Sequence, residues 1–109
     1  MTALKNARPP IRDLVKHLEY RSTFGRPVYV KRNQQYAALI VPSLRNGTDG
    51  PYEYLKTYQR STVHEAIVLG FVRLGGELMD IPRFAIAGRH WCADAGLMGR
   101  TISLTEVAR

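Results

Sequence analysis

The feature that most constrains the fold is a helical pattern of apolar residues, followed at once by two short β-type runs. Directly after Pro9-Pro10, apolar residues recur at i, i+3, i+4 and i+7, namely Ile11, Leu14, Val15 and Leu18. Proline is tolerated in the first turn of a helix, and this spacing places the four side chains on one face. The sequence therefore predicts a helix from about Pro10 that ends before Phe24-Gly25, where glycine can terminate it.

The two runs that follow predict a β-hairpin. Residues 27–31 (PVYVK) and 36–41 (YAALIV) are rich in β-branched and aromatic side chains, as strands are. A short polar segment, 32–35, separates them, and such a separation is typical of a hairpin. Asn33 within this segment tolerates the left-handed backbone of a turn, and Pro42 ends the second run.

A second helix is predicted beyond the loop. The segment 45–51 (RNGTDGP) carries strong turn signals, and residues 52–58 are ambiguous between a helix and a strand. Thr62 and Glu65 fit a capping box, which predicts a helix over 63–74 that stops at Gly75-Gly76. This helix is apolar on almost all sides and is therefore expected to be buried, although its β-branched residues leave a strand open.

The fold class that these elements predict is α+β. Residues 83–87 and 100–105 are further strand candidates. The expected architecture is an N-terminal helix plus β-hairpin, a second buried helix and C-terminal β-strands. All of it is expected in one small domain spanning 1–109, with a basic helix-hairpin module at 1–44 and a helix plus β-rich half at 52–109.

Cysteine content and hydropathy indicate the compartment. The chain has one cysteine, Cys92, so no intramolecular disulfide can form, which favours a reducing environment. The N-terminal residues lack the apolar core of a signal peptide. The longest apolar stretch, 66–72, is far too short to cross a bilayer. A cytoplasmic protein without membrane contact is expected.

Positive charge is concentrated in the first third of the chain. Residues 1–32 contain eight basic and two acidic side chains, a net charge of +6, whereas residues 33–109 carry a net charge of +1. Such asymmetry favours contact with a polyanion, because lysine and arginine neutralise phosphates and release counterions. The predicted nucleic-acid-binding residues are Lys5, Arg8, Arg12, Lys16, Lys31 and Arg32. The alternative is a solvated basic surface with salt bridges from Arg12 or Lys16 to Glu19.

Two other residue groups have side chains that suit a functional site. His90, Cys92 and Asp94 alternate, so on a strand they would share one face. Zinc sites usually take paired ligands from a second segment, and no such pair exists, so no metal, cofactor or catalytic site is predicted. The six tyrosines suit an interaction surface, and ordinary core packing is the alternative.

A family pattern runs through residues 6–54 and comprises Ala7-Arg8, Asp13-Leu14-Val15, Leu18-Glu19, residues 25–32 (GRPVYVKR) and residues 37–42 (AALIVP). With these features the segment resembles the prevent-host-death (Phd/YefM) antitoxin family. The resemblance implies an N-terminal α/β domain that dimerises and binds operator DNA, and a C-terminal segment that inhibits a toxin. The implied DNA site comprises Lys5, Arg8, Arg12 and the basic residues of the hairpin.

The sequence therefore favours a small DNA-binding regulatory protein that acts as a homodimer, in the manner of an antitoxin-like transcriptional repressor. The first alternative is a protein-interaction module, accessory subunit or inhibitor that binds no nucleic acid. The second is a small enzyme that uses His90, Cys92 or Asp94, and the lack of further ligands makes a non-enzymatic role the expectation.

Overall fold

An antiparallel sheet with two helices on one face organises residues 3–43, 52–81 and 98–106, which are the residues that the computed structural model describes. A 3₁₀ turn, Leu4–Asn6, precedes the first helix. The helices are α1 (Pro9–Ser22) and α2 (Arg60–Val68), and the strands are β1 (Val28–Arg32), β2 (Tyr36–Pro42), β3 (Tyr52–Gln59), β4 (Val72–Leu74), β5 (Met79–Asp80) and β6 (Met98–Leu104).

The strand order places β6, the last strand, beside β1, the first. The sheet runs β3-β2-β1-β6-β4, with β5 beside β6, and all of the pairs are antiparallel. In the predicted hairpin, Tyr29 lies opposite Ile40, and the other edge of β1 pairs with β6, where Val28 lies opposite Ile102. The segments 1–44 and 52–109 therefore contribute to the same sheet, and the predicted α+β class is confirmed.

The main core lies between the helices and the sheet. The apolar face predicted for the first helix is confirmed, because Ile11, Leu14, Val15 and Leu18 are all 3% exposed or less. They pack with inward residues of the sheet such as Val30 and with residues of α2. The opposite face of the sheet carries a small second cluster of Tyr29, Ile40, Tyr52 and Ile81.

The predicted bounds of the second helix, 63–74, are wrong. The helix is α2, Arg60–Val68, and a turn at Gly70 (φ +80°) separates it from strand β4. The capping box is also wrong, because Thr62 lies inside α2 and no side chain caps its first turn. A helix of this length buries one face only: Val63 is 1% exposed, whereas Val68 is 69% exposed.

Two further segments discussed in the sequence analysis form strands, and two others lie outside the described residues. Residues 52–58, ambiguous in the sequence, form β3, and the strand predicted at 100–105 corresponds to β6. The loop predicted at 45–51 and the strand predicted at 83–87 lie outside the described residues. Within residues 3–43, 52–81 and 98–106, no helix has the length and apolar character needed to cross a membrane.

Asp13 links α1 to β3. Its carboxylate accepts hydrogen bonds from Lys56 Nζ (2.6 Å) and from the Tyr58 hydroxyl (2.8 Å). Burial raises the pKa of Asp13, but the hydrogen bonds and the positive charges of Lys56 and His17 outweigh burial and lower it overall. Burial and the bond to Asp13 raise the pKa of Tyr58, so its hydroxyl stays protonated and remains a donor.

Replacing Asp13 by alanine is expected to lower the free energy of unfolding by roughly 1–3 kcal/mol, because it leaves the Tyr58 hydroxyl without an acceptor. Chemical denaturation measures this loss. The double variant D13A/Y58F removes both partners and should lose less than the sum of the two single variants. Simple additivity of the two losses would contradict the interaction.

The stability of the wild-type protein should also depend on this carboxylate in acid. The pKa of Asp13 is lower in the folded protein than the value of about 3.9 expected for the unfolded chain. Its stabilising contribution is therefore present above the unfolded pKa and is lost as the pH falls through the folded pKa. Thermal unfolding of Asp13→Asn, followed as the pH falls through the folded pKa of Asp13, should show a smaller loss of stability than the wild type shows. Superimposable declines would refute the assignment.

Candidate functional site

The hairpin turn between β1 and β2 fixes the start of α2. Asn33 Oδ1 accepts hydrogen bonds from the backbone N–H groups of Gln35 (2.8 Å) and Tyr36 (2.7 Å), a local arrangement that asparagine favours in turns. The Arg60 N–H donates to the Gln35 carbonyl at 2.9 Å, and Arg60 Nη1 donates to the Asn33 carbonyl at 3.1 Å. The Arg60 guanidinium is therefore held against the end of β1.

Two further arginines come to the same end of the sheet, and the three together are called the arginine cluster: Arg32, Arg60 and Arg100. Arg100 lies opposite Val30 in the β1–β6 register. Because side chains alternate along a strand, Arg32, two residues beyond Val30, points to the same face as Arg100. Arg100 Nη1 donates to the Gly75 carbonyl at 3.2 Å, which fixes its orientation.

Three positive charges converge here without a carboxylate. Burial lowers the pKa of Arg32, and the positive charges of Arg60 and Arg100 lower it further. In the part of the chain that the structure describes, no member of the cluster forms an ion pair with an acidic side chain. Like charges held together destabilise the fold unless an anion compensates them, so this arrangement is suited to bind one.

Two grooves flank Arg60, and both are also lined by Arg32. The helix groove, about 580 Å³, is lined by Arg32, Gln34, Gln35, Tyr36, Gln59, Arg60, Ser61 and His64. The strand groove, about 400 Å³, is lined by Val30, Lys31, Arg32, Arg60, Leu78, Met98, Gly99 and Arg100. Neither lining includes an acidic residue among those that the structure describes. Both grooves therefore offer hydrogen-bond donors and positive charge to a ligand.

The start of α2 adds to the positive potential. The first N–H groups of a helix lack partners within the helix and lie at the positive end of its dipole. No side chain caps this end of α2, and its first turn contains no acidic residue. Ser61, in that turn, is exposed and lines the helix groove. An oxyanion in this groove would face Arg32, Arg60 and the helix start.

Two of the residues predicted from the sequence lie at this site, and the other four lie outside both grooves. Lys31 and Arg32 lie at the site. Arg8 instead forms an ion pair with Glu65 of α2, through Nε at 2.8 Å and through Nη2. The other three are exposed on the 3₁₀ turn or on α1 and line neither groove: Lys5, Arg12 and Lys16.

Sequence reasoning missed Arg60 and Arg100. They stand 28 and 68 positions after Arg32, and they reach it only through tertiary structure: the hairpin turn holds Arg60, and the β1–β6 register places Arg100. The one sequence signal was their positive charge, since no motif spacing links them.

Two further expectations concern salt bridges to Glu19 and the group of His90, Cys92 and Asp94. Among the described residues, neither Arg12 nor Lys16 forms a salt bridge with Glu19. The described ranges contain no group of three potential metal ligands, and His90, Cys92 and Asp94 lie outside them. Their common face on a strand therefore stays a sequence prediction.

Arg21 is a separate buried cation at the end of α1. It is 9% exposed, and its guanidinium lies 5.2 Å from the ring centroid of Tyr20. Its Nε and Nη1 have no hydrogen-bond partner among residues 3–43, 52–81 and 98–106. A cation near a helix C-terminus interacts favourably with the helix dipole. Arg21 lines neither groove beside the arginine cluster.

Comparison with known proteins gives no relative for this chain: no family model, no curated protein and no solved structure matches it.

Proposed function

We propose that this chain is a small DNA-binding regulatory protein that holds the DNA backbone at the arginine cluster. The observation that carries the proposal is the convergence of Arg32, Arg60 and Arg100 at one end of the sheet, where the described residues place no acidic side chain in either flanking groove. Guanidinium groups bind phosphate oxygens in pairs of parallel hydrogen bonds. The cluster therefore has the charge and the donors for two or three consecutive phosphates.

The exposed basic residues of the first helix have a supporting role in this proposal. Lys5, Arg12 and Lys16 are exposed and carry no ion pair with an acidic side chain in the described ranges. Charges of this kind raise the local concentration of a polyanion and accelerate its association. They contribute less to the bound complex, because they lie on another part of the surface than the cluster.

A homodimer is part of the proposal. Two copies related by a two-fold axis would present two clusters to one DNA molecule, which is how dimeric regulators read repeated half-sites. Strand β3 lies at an edge of the sheet in the described part of the chain, and an unpaired edge can pair with a second copy. Light scattering that reports the mass of two chains would support this part.

An antitoxin-like repressor would bind a toxin as well as DNA. The exposed apolar residues Val68 (69% exposed) and Leu78 (57% exposed) favour some protein contact. The same residues also suit the second candidate, a protein-interaction module without DNA binding. Co-purification of one protein at a fixed stoichiometry, together with no DNA retardation, would favour that candidate.

The proposal is tested by titrating labelled mixed-sequence DNA with the wild-type protein over a series of salt concentrations. If the cluster neutralises about three phosphates, the logarithm of the binding constant should fall with the logarithm of salt concentration with a slope of about −3. Sequencing the retained DNA then identifies a preferred site. No binding at low salt would refute the DNA-binding function.

A further inference from the structure

The sheet face opposite the helices has an open aromatic end beside the arginine cluster. Tyr36, Ala38 and Ile40 alternate along β2 and therefore share this face. The register places Lys31 of β1 opposite Ala38, and Tyr54 of β3 opposite Ile40. Small Ala38 thus lies between two tyrosines, with a lysine beside it.

The two tyrosines are exposed where the rest of the face is packed. Tyr29 and Tyr52, farther along the same face, are 4% and 1% exposed and pack with Ile81. Tyr36 and Tyr54 are instead 49% and 48% exposed. Exposed rings on a rigid antiparallel sheet are typical of surfaces that receive a planar partner.

A groove joins these rings to positive charge. This tyrosine groove, about 390 Å³, is lined by Lys31, Arg32, Asn33, Tyr36, Ala38, Tyr54 and Thr57. In the described part of the chain its lining supplies two cations and no carboxylate. Arg32 and Tyr36 line both this groove and the helix groove, so the two grooves meet at the hairpin turn.

The spacing of the rings fits an extended polynucleotide. Tyr36 and the partner of Tyr54, Ile40, stand four residues apart on β2, which is about 14 Å along a strand. Rings carried at backbone positions this far apart can each stack a separate base. Lys31 and Arg32 lie where the connecting phosphates would pass.

We infer that the tyrosine groove binds unpaired nucleobases, which stack on Tyr36 and Tyr54 while the adjoining phosphates lie at Lys31 and Arg32, the two cations of the same groove. This inference rests on the proposed DNA-binding function and names its ligand class: a single strand, or DNA with at least two unpaired nucleotides. The bases of an intact duplex are stacked on one another, so their faces are unavailable to the tyrosines. Stacking on an aromatic ring tolerates any base.

The test measures the affinity of wild-type protein and tyrosine variants for an oligothymidylate of about ten nucleotides and for a duplex of the same length. We expect Tyr36→Leu and Tyr54→Leu each to weaken oligothymidylate binding roughly tenfold, with little change in duplex binding. Tyr36→Phe and Tyr54→Phe keep the ring and should bind as the wild type does. Thermal unfolding of each variant verifies the fold.

The outcomes separate this inference from the proposed function. Equal weakening by leucine and phenylalanine would show that the hydroxyls matter rather than the rings, and would overturn stacking. Unchanged oligothymidylate affinity in the leucine variants, with DNA still bound, would overturn the inference and keep the function; the face would then be available to a protein partner. Absence of binding to either nucleic acid by the wild-type protein would refute both.

Discussion

Replacement of all three cluster arginines by glutamine (R32Q/R60Q/R100Q) is expected to weaken DNA binding roughly 100-fold at physiological salt. The variant loses about three phosphate contacts, and each contact releases a condensed counterion that favours binding. The slope of the salt dependence should accordingly become less negative by about three. Fluorescence anisotropy over a series of salt concentrations measures both quantities.

A matched control separates location from total charge. The variant K5Q/R12Q/K16Q also removes three positive charges, but from exposed positions outside the grooves. We expect it to lose only a few-fold in affinity, mostly through slower association. Equal losses in the two triple variants would mean that binding is spread over the basic surface, contrary to a site at the cluster.

A finer comparison uses lysine. The variant R32K/R60K/R100K retains the charge but loses the planar, bidentate donors of the guanidinium group. Its affinity should lie between those of the wild type and the glutamine variant.

Replacing Phe71 by alanine is expected to have the largest effect on stability, a loss of about 3–5 kcal/mol. Phe71 is 0% exposed and belongs to the main core. Its N–H donates to the Ala66 carbonyl at 2.9 Å, and its carbonyl accepts from the Thr105 N–H at 3.0 Å. The residue thus joins the end of α2 to β6, the elements that carry Arg60 and Arg100.

The loss is large against the total stability of a domain, about 5–15 kcal/mol, so the variant should be partly unfolded near body temperature. Chemical denaturation measures the change. Phe71→Leu fills most of the same volume and should lose considerably less. A loss below about 1 kcal/mol for the alanine variant would contradict the buried position, because truncation of a core aromatic leaves a cavity.

The first half of the fold could be predicted because its signals are local. One face of α1 is apolar at helical spacing throughout, and the hairpin has two β-branched runs around a turn with Asn33. Each pattern excludes the alternative structure. These elements are therefore predictable without any knowledge of tertiary contacts.

The predicted bounds of the second helix are wrong because its apolar residues fit both the helical and the strand periodicity. Residues 60–74 are apolar enough for either a helix or a strand, and the chain uses both, with a left-handed turn at Gly70 between them. Its start depends on tertiary structure, since Arg60 is held by carbonyls of the hairpin turn. No capping motif in the sequence marks Gln59 as the preceding residue.

The candidate site shows the same division. Arg32 was identified from the local density of positive charge. Arg60 and Arg100 join it only through the β1–β6 pairing and the turn into α2. Long-range register is not encoded in local composition, so charge counting favoured Arg12 and Lys16 on the exposed helix instead.

The most direct test follows the arginine Nε–Hε signals of the isotopically labelled wild-type protein by NMR while DNA is added. The predicted result is that the signals of Arg32, Arg60 and Arg100 shift together with the backbone amide of Ser61, while the signal of Arg12 changes little. Shifts concentrated at Arg12 and the other exposed positions of α1, with the cluster unchanged, would contradict a DNA site at the arginine cluster.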